Sequence, residues 1–219
     1  MTTKKKEETV VEIRPLEIAK ATITIVGDSP LIMRAWSEKA KRMMLEAQMG
    51  KKKGKAKEPK NPEEDFIDSL YWMTPKPEEK TMEAFEAAVA AGAKFAIPVT
   101  AIKQAAISAA YRQGWIKNKM EMRGAFYIDS DENGMVEIKS DPPIMREDMV
   151  KVGMGTADIR YRGELRNWSV DLTISYNLNG QYDLTNIINT INAGGYVCGI
   201  GEWRPERDGQ YGMFHVATS

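Results

Sequence analysis

Cysteine and histidine are almost missing from this chain of 219 residues, which holds one of each, Cys198 and His215. A lone cysteine excludes an internal disulfide and suits a reducing compartment. Among apolar and glycine neighbours it reads as a small buried hydrophobe rather than a nucleophile. A lone histidine in the last strand leaves little material for a triad or a zinc site. No P-loop, GxSxG or dinucleotide fingerprint occurs, and the pairs Gly153/Gly155 and Gly199/Gly201 lack the strand-then-helix context that gives such glycines meaning. The carboxylates Asp28, Asp158 and Asp171 are scattered. The expectation is therefore no catalytic residue, no metal and no cofactor, with a metal-dependent nuclease as the minor rival. Net charge is absent too: 31 basic residues balance 31 acidic ones, so no global field points to a nucleic-acid partner. No apolar run reaches the length of a membrane span. The opening MTTKKKEETV has no apolar stretch behind its lysines, unlike a secretory leader. An intracellular protein with no membrane partner is expected.

What is present suits a chain with a real core: 42% hydrophobic and 28% charged residues. Residues 21–27 (ATITIVG) alternate as a strand, with Ile23 and Ile25 on one face and Thr22 and Thr24 on the other. Ser37 is a cap for a helix to about residue 49, where Ala40, Met43, Met44 and Ala47 form a core-facing stripe. Residues 65–73 and 79–91 read as short helices. Residues 95–98 form a strand entering a helix over 100–112, with Thr100 as its cap. Residues 125–128 and 135–138 read as a hairpin closed by Asn133-Gly134, and Pro142-Pro143 opens an irregular link. Residues 158–168 alternate, with Ile159, Tyr161 and Leu165 set off from the arginines. Residues 170–176 give the cleanest half-buried strand. Asp183 caps a helix with apolar face Leu184, Ile187, Ile188 and Ile191, which Gly194 and Gly195 end. A glycine-rich hairpin closes the chain.

Without an insertion at 37–94 the order is β-α-β-β-α-β. That predicts an α+β class, with a modified ferredoxin-like (RRM-like) core, a helical lysine-rich insertion and a C-terminal glycine-rich hairpin. Residues 1–20 form a tail and edge segment, and 21–219 a single domain.

Three segments join cations to rings. One is the lysine run of residues 51–60, with Lys51, Lys52, Lys53, Lys55 and Lys57. The second holds Arg160, Arg162 and Arg166 beside Tyr161 and Trp168. The third holds Trp203, Arg204, Arg207 and Tyr211, where Gly199 and Gly201 leave the backbone bare for close approach. Lysine and arginine neutralise phosphates, and planar rings stack on unpaired bases. Each has a plainer reading: a solvated linker, the wet face of a strand, a glycine-bulged hairpin. Their coincidence on one side of one sheet is the expectation.

The segment GGYVCGIGEWRPERDGQYGMF, a helix running into a glycine-rich turn and a hairpin, is similar to the glycine-rich segment of the RAMP superfamily. That superfamily includes the backbone subunits of multisubunit CRISPR effector complexes. The early strand ATITIVGDSPLIM, followed by an insertion, also looks like their start. The resemblance covers the two ends of the domain and the element order, not the middle, and a recognisable catalytic aspartate motif is lacking. It implies a ferredoxin-like core with an inserted finger or thumb that polymerises on single-stranded guide RNA. The chain also resembles early proteins of bacteriophages, which implies a single-strand-binding role in replication or recombination and a place in the bacterial host's cytoplasm. The expected function is non-enzymatic coating of single-stranded DNA or RNA by a self-associating filament or ring. A virion assembly protein with no nucleic-acid ligand is the rival.

Overall fold

The computed structural model describes residues 15–50, 59–152 and 155–218. In chain order the elements are β1 (Ile18–Gly27), β2 (Leu31–Ile32), α1 (Glu38–Gln48), α2 (Pro62–Ser69), α3 (Met82–Ala90), β3 (Phe95–Pro98), α4 (Val99–Arg112), α5 (Met120–Arg123), β4 (Phe126–Ile128), β5 (Met135–Ile138), β6 (Ile144–Val152), β7 (Thr156–Leu165), β8 (Ser169–Asn177), α6 (Leu184–Val197) and β9 (Phe214–Val216). The architecture is α+β, with antiparallel pairing throughout. A four-stranded sheet has the order β4-β8-β1-β9, a second sheet the order β2-β7-β6, and β3 pairs with β5.

Alternation in β1 and β8 sets what each face does. Ile23 lies opposite Leu172 and Ile25 opposite Val170, so their side chains share the face that enters the core with Ile174. Helices α4 and α6 pack on that core through Ala105, Ala106, Ala109 and Ala110 and through Ile187 and Ile191. The helices α2 and α3 join the same core. Phe66 meets Phe85 edge-on at 4.9 Å between ring centres, and Trp72 meets Phe95 at 4.9 Å.

Several local expectations change. Gly194 and Gly195 do not end α6, which runs on to Val197. They are bare because the helix is pressed against its neighbours. A Cβ on Gly195 would lie 1.8 Å from the Phe214 carbonyl oxygen, and one on Gly194 would lie 2.8 Å from the Ala106 nitrogen. Asp183 does cap this helix, its Oδ1 accepting from the Asn186 N–H at 2.7 Å. Thr100 caps nothing: α4 starts at Val99 after Pro98, without a side-chain cap.

The strands β4 and β5 do not form a hairpin. Asp131 Oδ1 accepts from the N–H groups of Asn133 and Met135, and that turn sends β4 to β8 and β5 to β3. Ser37 caps α1 as expected, with Oγ 3.1 Å from the Ala40 nitrogen. The methionine face of α1 is not core, however: Met43, Met44, Leu45 and Met49 are exposed and no α1 residue is buried. The link after Pro143 is a nine-residue strand, β6, paired with β7 along its length. The terminal hairpin is a compact loop with one 3-10 turn at Pro205–Arg207 before the short β9. No helix among the described residues is long and apolar enough to cross a membrane.

Candidate nucleic-acid interface

The arginines of β7 and their cross-strand neighbours on β6 form a ladder of alternating charge. Arg146 lies opposite Arg162, and Asp148 opposite Arg160. Arg146 donates to Asp148 at 2.8 Å, to Glu164 at 2.9 Å and to the Tyr211 hydroxyl at 3.1 Å, with its guanidinium 4.6 Å from the centre of the Tyr211 ring. Arg162 is only 5% exposed and pairs with Asp148 at 3.4 Å and Glu202 at 3.9 Å. Arg166 donates to Glu164 at 2.8 Å and Arg160 to Asp158 at 3.0 Å. Burial raises the Glu164 carboxyl, but the bonds from Arg146 and Arg166 outweigh it and hold the group below the usual carboxylate range.

These arginines therefore do not form the open phosphate-binding row that the sequence suggests. Arg162 is a buried partner of carboxylates, Arg160 shares Asp158 with Lys60, and Arg166 shares the buried Glu164 with Arg146. Arg160 and Arg162 also lie on the second sheet rather than the four-stranded one, and Arg166 just past its end. Trp168 is likewise no stacking platform: it is 1% exposed, its indole N–H donates to the Ser29 carbonyl at 2.8 Å, and its ring meets Phe214.

The C-terminal loop also departs from expectation. Gly199 and Gly201 have φ of +62° and +78°, and the chain itself fills the space beside them. A Cβ on Gly199 would meet Pro205 Cδ at 2.7 Å, and one on Gly201 the Ile32 carbonyl oxygen at 2.5 Å. Their bare backbone serves the loop's own packing, not a ligand's approach. Tyr211 is held beneath Arg146. Trp203 (40% exposed) and Arg207 stay open. Arg162 and Glu202 tie β7 to this loop, so two of the three expected segments adjoin. Lys51, Lys52, Lys53, Lys55 and Lys57 lie outside the described residues.

A cationic and aromatic patch forms instead where the loop meets the end of α4. Arg112 at the last turn of α4 and Arg204 share one carboxylate, Glu206, each at 3.1 Å. Glu206 in turn donates its backbone N–H to the Cys198 carbonyl at 3.1 Å, and burial, followed by Glu206, pushes the Cys198 thiol up. Lys119 donates to Ser108 at 3.0 Å and sits 5.9 Å from the Tyr111 ring centre. Tyr111 and Trp115 are 48% and 53% exposed, and Tyr196 on the neighbouring α6 is 74% exposed. Residues 111–123 (YRQGWIKNKMEMR) carry Arg112, Lys117, Lys119 and Arg123 against a single carboxylate, Glu121. By local pattern this segment reads only as the end of a helix, although its interleaving of rings and cations is a readable signal.

The open face of the four-stranded sheet is polar and internally paired. Thr24 donates to Asp171 at 2.7 Å, Lys139 to the same group at 2.6 Å, and Lys20 to Asp129 at 2.6 Å. His215 Nδ1 lies 2.6 Å from Asp28 Oδ1 on this face, a contact between residues at opposite ends of the chain that no local motif announces. Among the described residues no group of three His, Cys, Asp or Glu is placed to hold a metal ion. No protein-family model matches the chain, and no curated protein matches it.

Proposed function

We propose that the protein binds single-stranded nucleic acid without catalysing a reaction on it, and that it does so as a self-associating assembly. The patch at the end of α4 carries this reading: Arg112 and Arg204 meet at Glu206, Lys119 sits 5.9 Å from the Tyr111 ring centre, and Tyr111, Trp115 and Trp203 are open to solvent within three residues of one of these cations. Cations set among exposed rings suit a flexible strand whose phosphates and bases are both accessible. A rigid duplex keeps its base faces stacked away from such rings.

The same reading extends to ancestry and fold. The sheet order β4-β8-β1-β9 with α4 and α6 between its strands supports a ferredoxin-like core. Residues 37–94 and the β6–β7 hairpin are then insertions, as in a backbone subunit of the RAMP type, and a phage relative of that superfamily is the lineage we favour. Self-association is supported by the exposed Met43, Met44, Leu45 and Met49 face of α1. It is supported also by β1, whose pairing with β9 is confined to Ile25, Val26 and Gly27, leaving residues 18–23 without a strand on that side among the described residues. That exposed apolar helix equally favours a virion assembly protein.

Anisotropy titrations of labelled single strands against salt test the function. With about four phosphates neutralised, affinity falls by about 50-fold between 50 and 200 mM salt. Absence of binding at low salt, or binding indifferent to salt, refutes it. Assembly unchanged by nuclease, without strand binding, establishes the virion reading instead.

A further inference from the structure

A groove of about 410 Å³ lies between α6 and the segment around α5, a few residues along the chain from the cationic patch. Its walls include Trp115, Tyr182, Asn186, Asn189, Thr190 and Asn192, and no acidic or basic side chain lines it. The volume falls within the range of pockets that enclose small planar ligands, roughly 300–1,000 Å³. The amides are only partly used. Asn186 donates through its NH2 group to Asp183, keeping its carbonyl oxygen, and Asn192 accepts from the Val216 N–H, keeping its NH2 group. The side chains of Asn189 and Trp115 make no hydrogen bond among the described residues. The groove thus offers donors, acceptors and an indole face without charge. Tyr196, one turn beyond Asn192 on α6, adds a second exposed ring nearby. The residues next in sequence to Trp115, Ile116 and Met122 include Lys117 and Arg123, which are cationic and exposed.

We propose that this groove is a nucleobase pocket. It takes one base of a bound single strand out of the stack, holds it against Trp115, and reads its edge through Asn186, Asn189 and Asn192. The strand's phosphates run past Lys117 and Arg123. A neutral planar heterocycle with adjacent donors and acceptors fits such a lining, whereas an anion alone finds no cation within it. The proposal rests on the single-strand reading above and adds to it a preference among bases.

Two measurements on the full chain separate the pocket from that reading. The first titrates free adenosine, guanosine, cytidine and uridine while following the indole N–H signal of Trp115 by NMR. The second compares labelled homopolymers and an abasic strand, using the wild type, Trp115→Ala and Asn189→Ala. Both side chains are exposed, so the variants keep the fold, which circular dichroism checks. The pocket predicts that one nucleoside shifts the Trp115 signal more than the others. It also predicts a preference of about tenfold for one homopolymer over the rest, lost in both variants and on the abasic strand, with the salt dependence retained. Strand binding with no base preference, or with a preference that both variants keep, overturns the pocket and leaves the single-strand reading standing. Nucleoside binding at Trp115 without strand binding supports the pocket and overturns the single-strand reading. Silence in both measurements overturns both.

Discussion

Replacing Gly195 by alanine separates two accounts of α6 by the sign of the effect. If the glycine merely ended or interrupted a helix, an alanine there would add about 1 kcal/mol of helix propensity. The packing says otherwise. The new Cβ would lie 1.8 Å from the Phe214 carbonyl oxygen and 2.7 Å from Phe214 Cδ2, where ordinary contact begins near 3.4 Å. A backbone oxygen cannot swing aside as a side-chain tip can, so α6 must shift or β9 must leave β1. Overpacking of this kind costs about 1–3 kcal/mol and sometimes more, and displacing β9 also forfeits its pairing with Ile25, Val26 and Gly27. A net loss of about 3 kcal/mol follows, lowering Tm by about 6–12 °C for a chain of this size. Gly124→Ala is the control, because nothing lies within 4 Å of its added Cβ and φ there is −93°. It should be neutral or stabilising by about 0.5 kcal/mol. Thermal and urea unfolding followed by circular dichroism give both numbers. If Gly195→Ala proves as stable as the wild type or more so, the close approach of α6 to β9 is wrong.

Asp148→Asn removes the nearer of the two carboxylates of the buried Arg162, leaving Glu202 at 3.9 Å, and takes a partner from Arg146 as well; it should cost about 3 kcal/mol by urea unfolding, whereas the exposed pair Lys94–Glu137 should yield under about 1 kcal/mol to Lys94→Met. The folded Glu164 carboxyl lies below its ordinary range, so its contribution is complete above about pH 4.3, the unfolded value. That contribution is lost as pH falls through the lower folded value, and Glu164→Gln should flatten this part of the acid limb of a stability–pH curve; an unchanged limb would show that the bonds from Arg146 and Arg166 do not bias its ionisation. Met43→Gln with Met44→Gln should leave stability within about 0.5 kcal/mol and lower the sedimentation coefficient of the assembled protein; an unaltered assembly would remove α1 from the interface.

Regular elements with one wet and one dry face were legible from sequence. The alternation of β1 and β8 and the caps Ser37 and Asp183 needed only nearest neighbours. Elements defined by long-range partners were not. The strand β6 reads IMREDMVKV, with no clean apolar alternation, because Arg146 and Asp148 are matched across the hairpin to Glu164 and Arg162. The strands β4 and β5 look like one hairpin, since the Asp131 turn is local, while their pairing with β8 and β3 depends on residues dozens of positions away. Gly194 and Gly195 carry the residue type of a helix stop, and only the neighbouring α4 and β9 show that they are sites of close packing. The arginines were visible as charge, and Asp158 and Glu164, which pair with Arg160 and Arg166, stand two residues before them, but the carboxylates that occupy Arg162 come from β6 and the terminal loop. The rings and cations of residues 111–123 are plain in the sequence, but the glycine that ends α4 makes the segment read as a mere helix terminus.

The central claim is a cationic and aromatic surface at the junction of α4 and the terminal loop that holds a single strand. Lys119→Ala with Arg207→Ala tests it most directly, since Lys119 belongs to the patch, Arg207 stands exposed in the loop next to Glu206, and neither has an ion-pair partner among the described residues. Anisotropy titrations over a salt series should show the slope of log affinity against log salt falling by about 1.4, or about 0.7 for each phosphate no longer neutralised. A slope equal to that of the wild type, with unchanged affinity, would contradict the account.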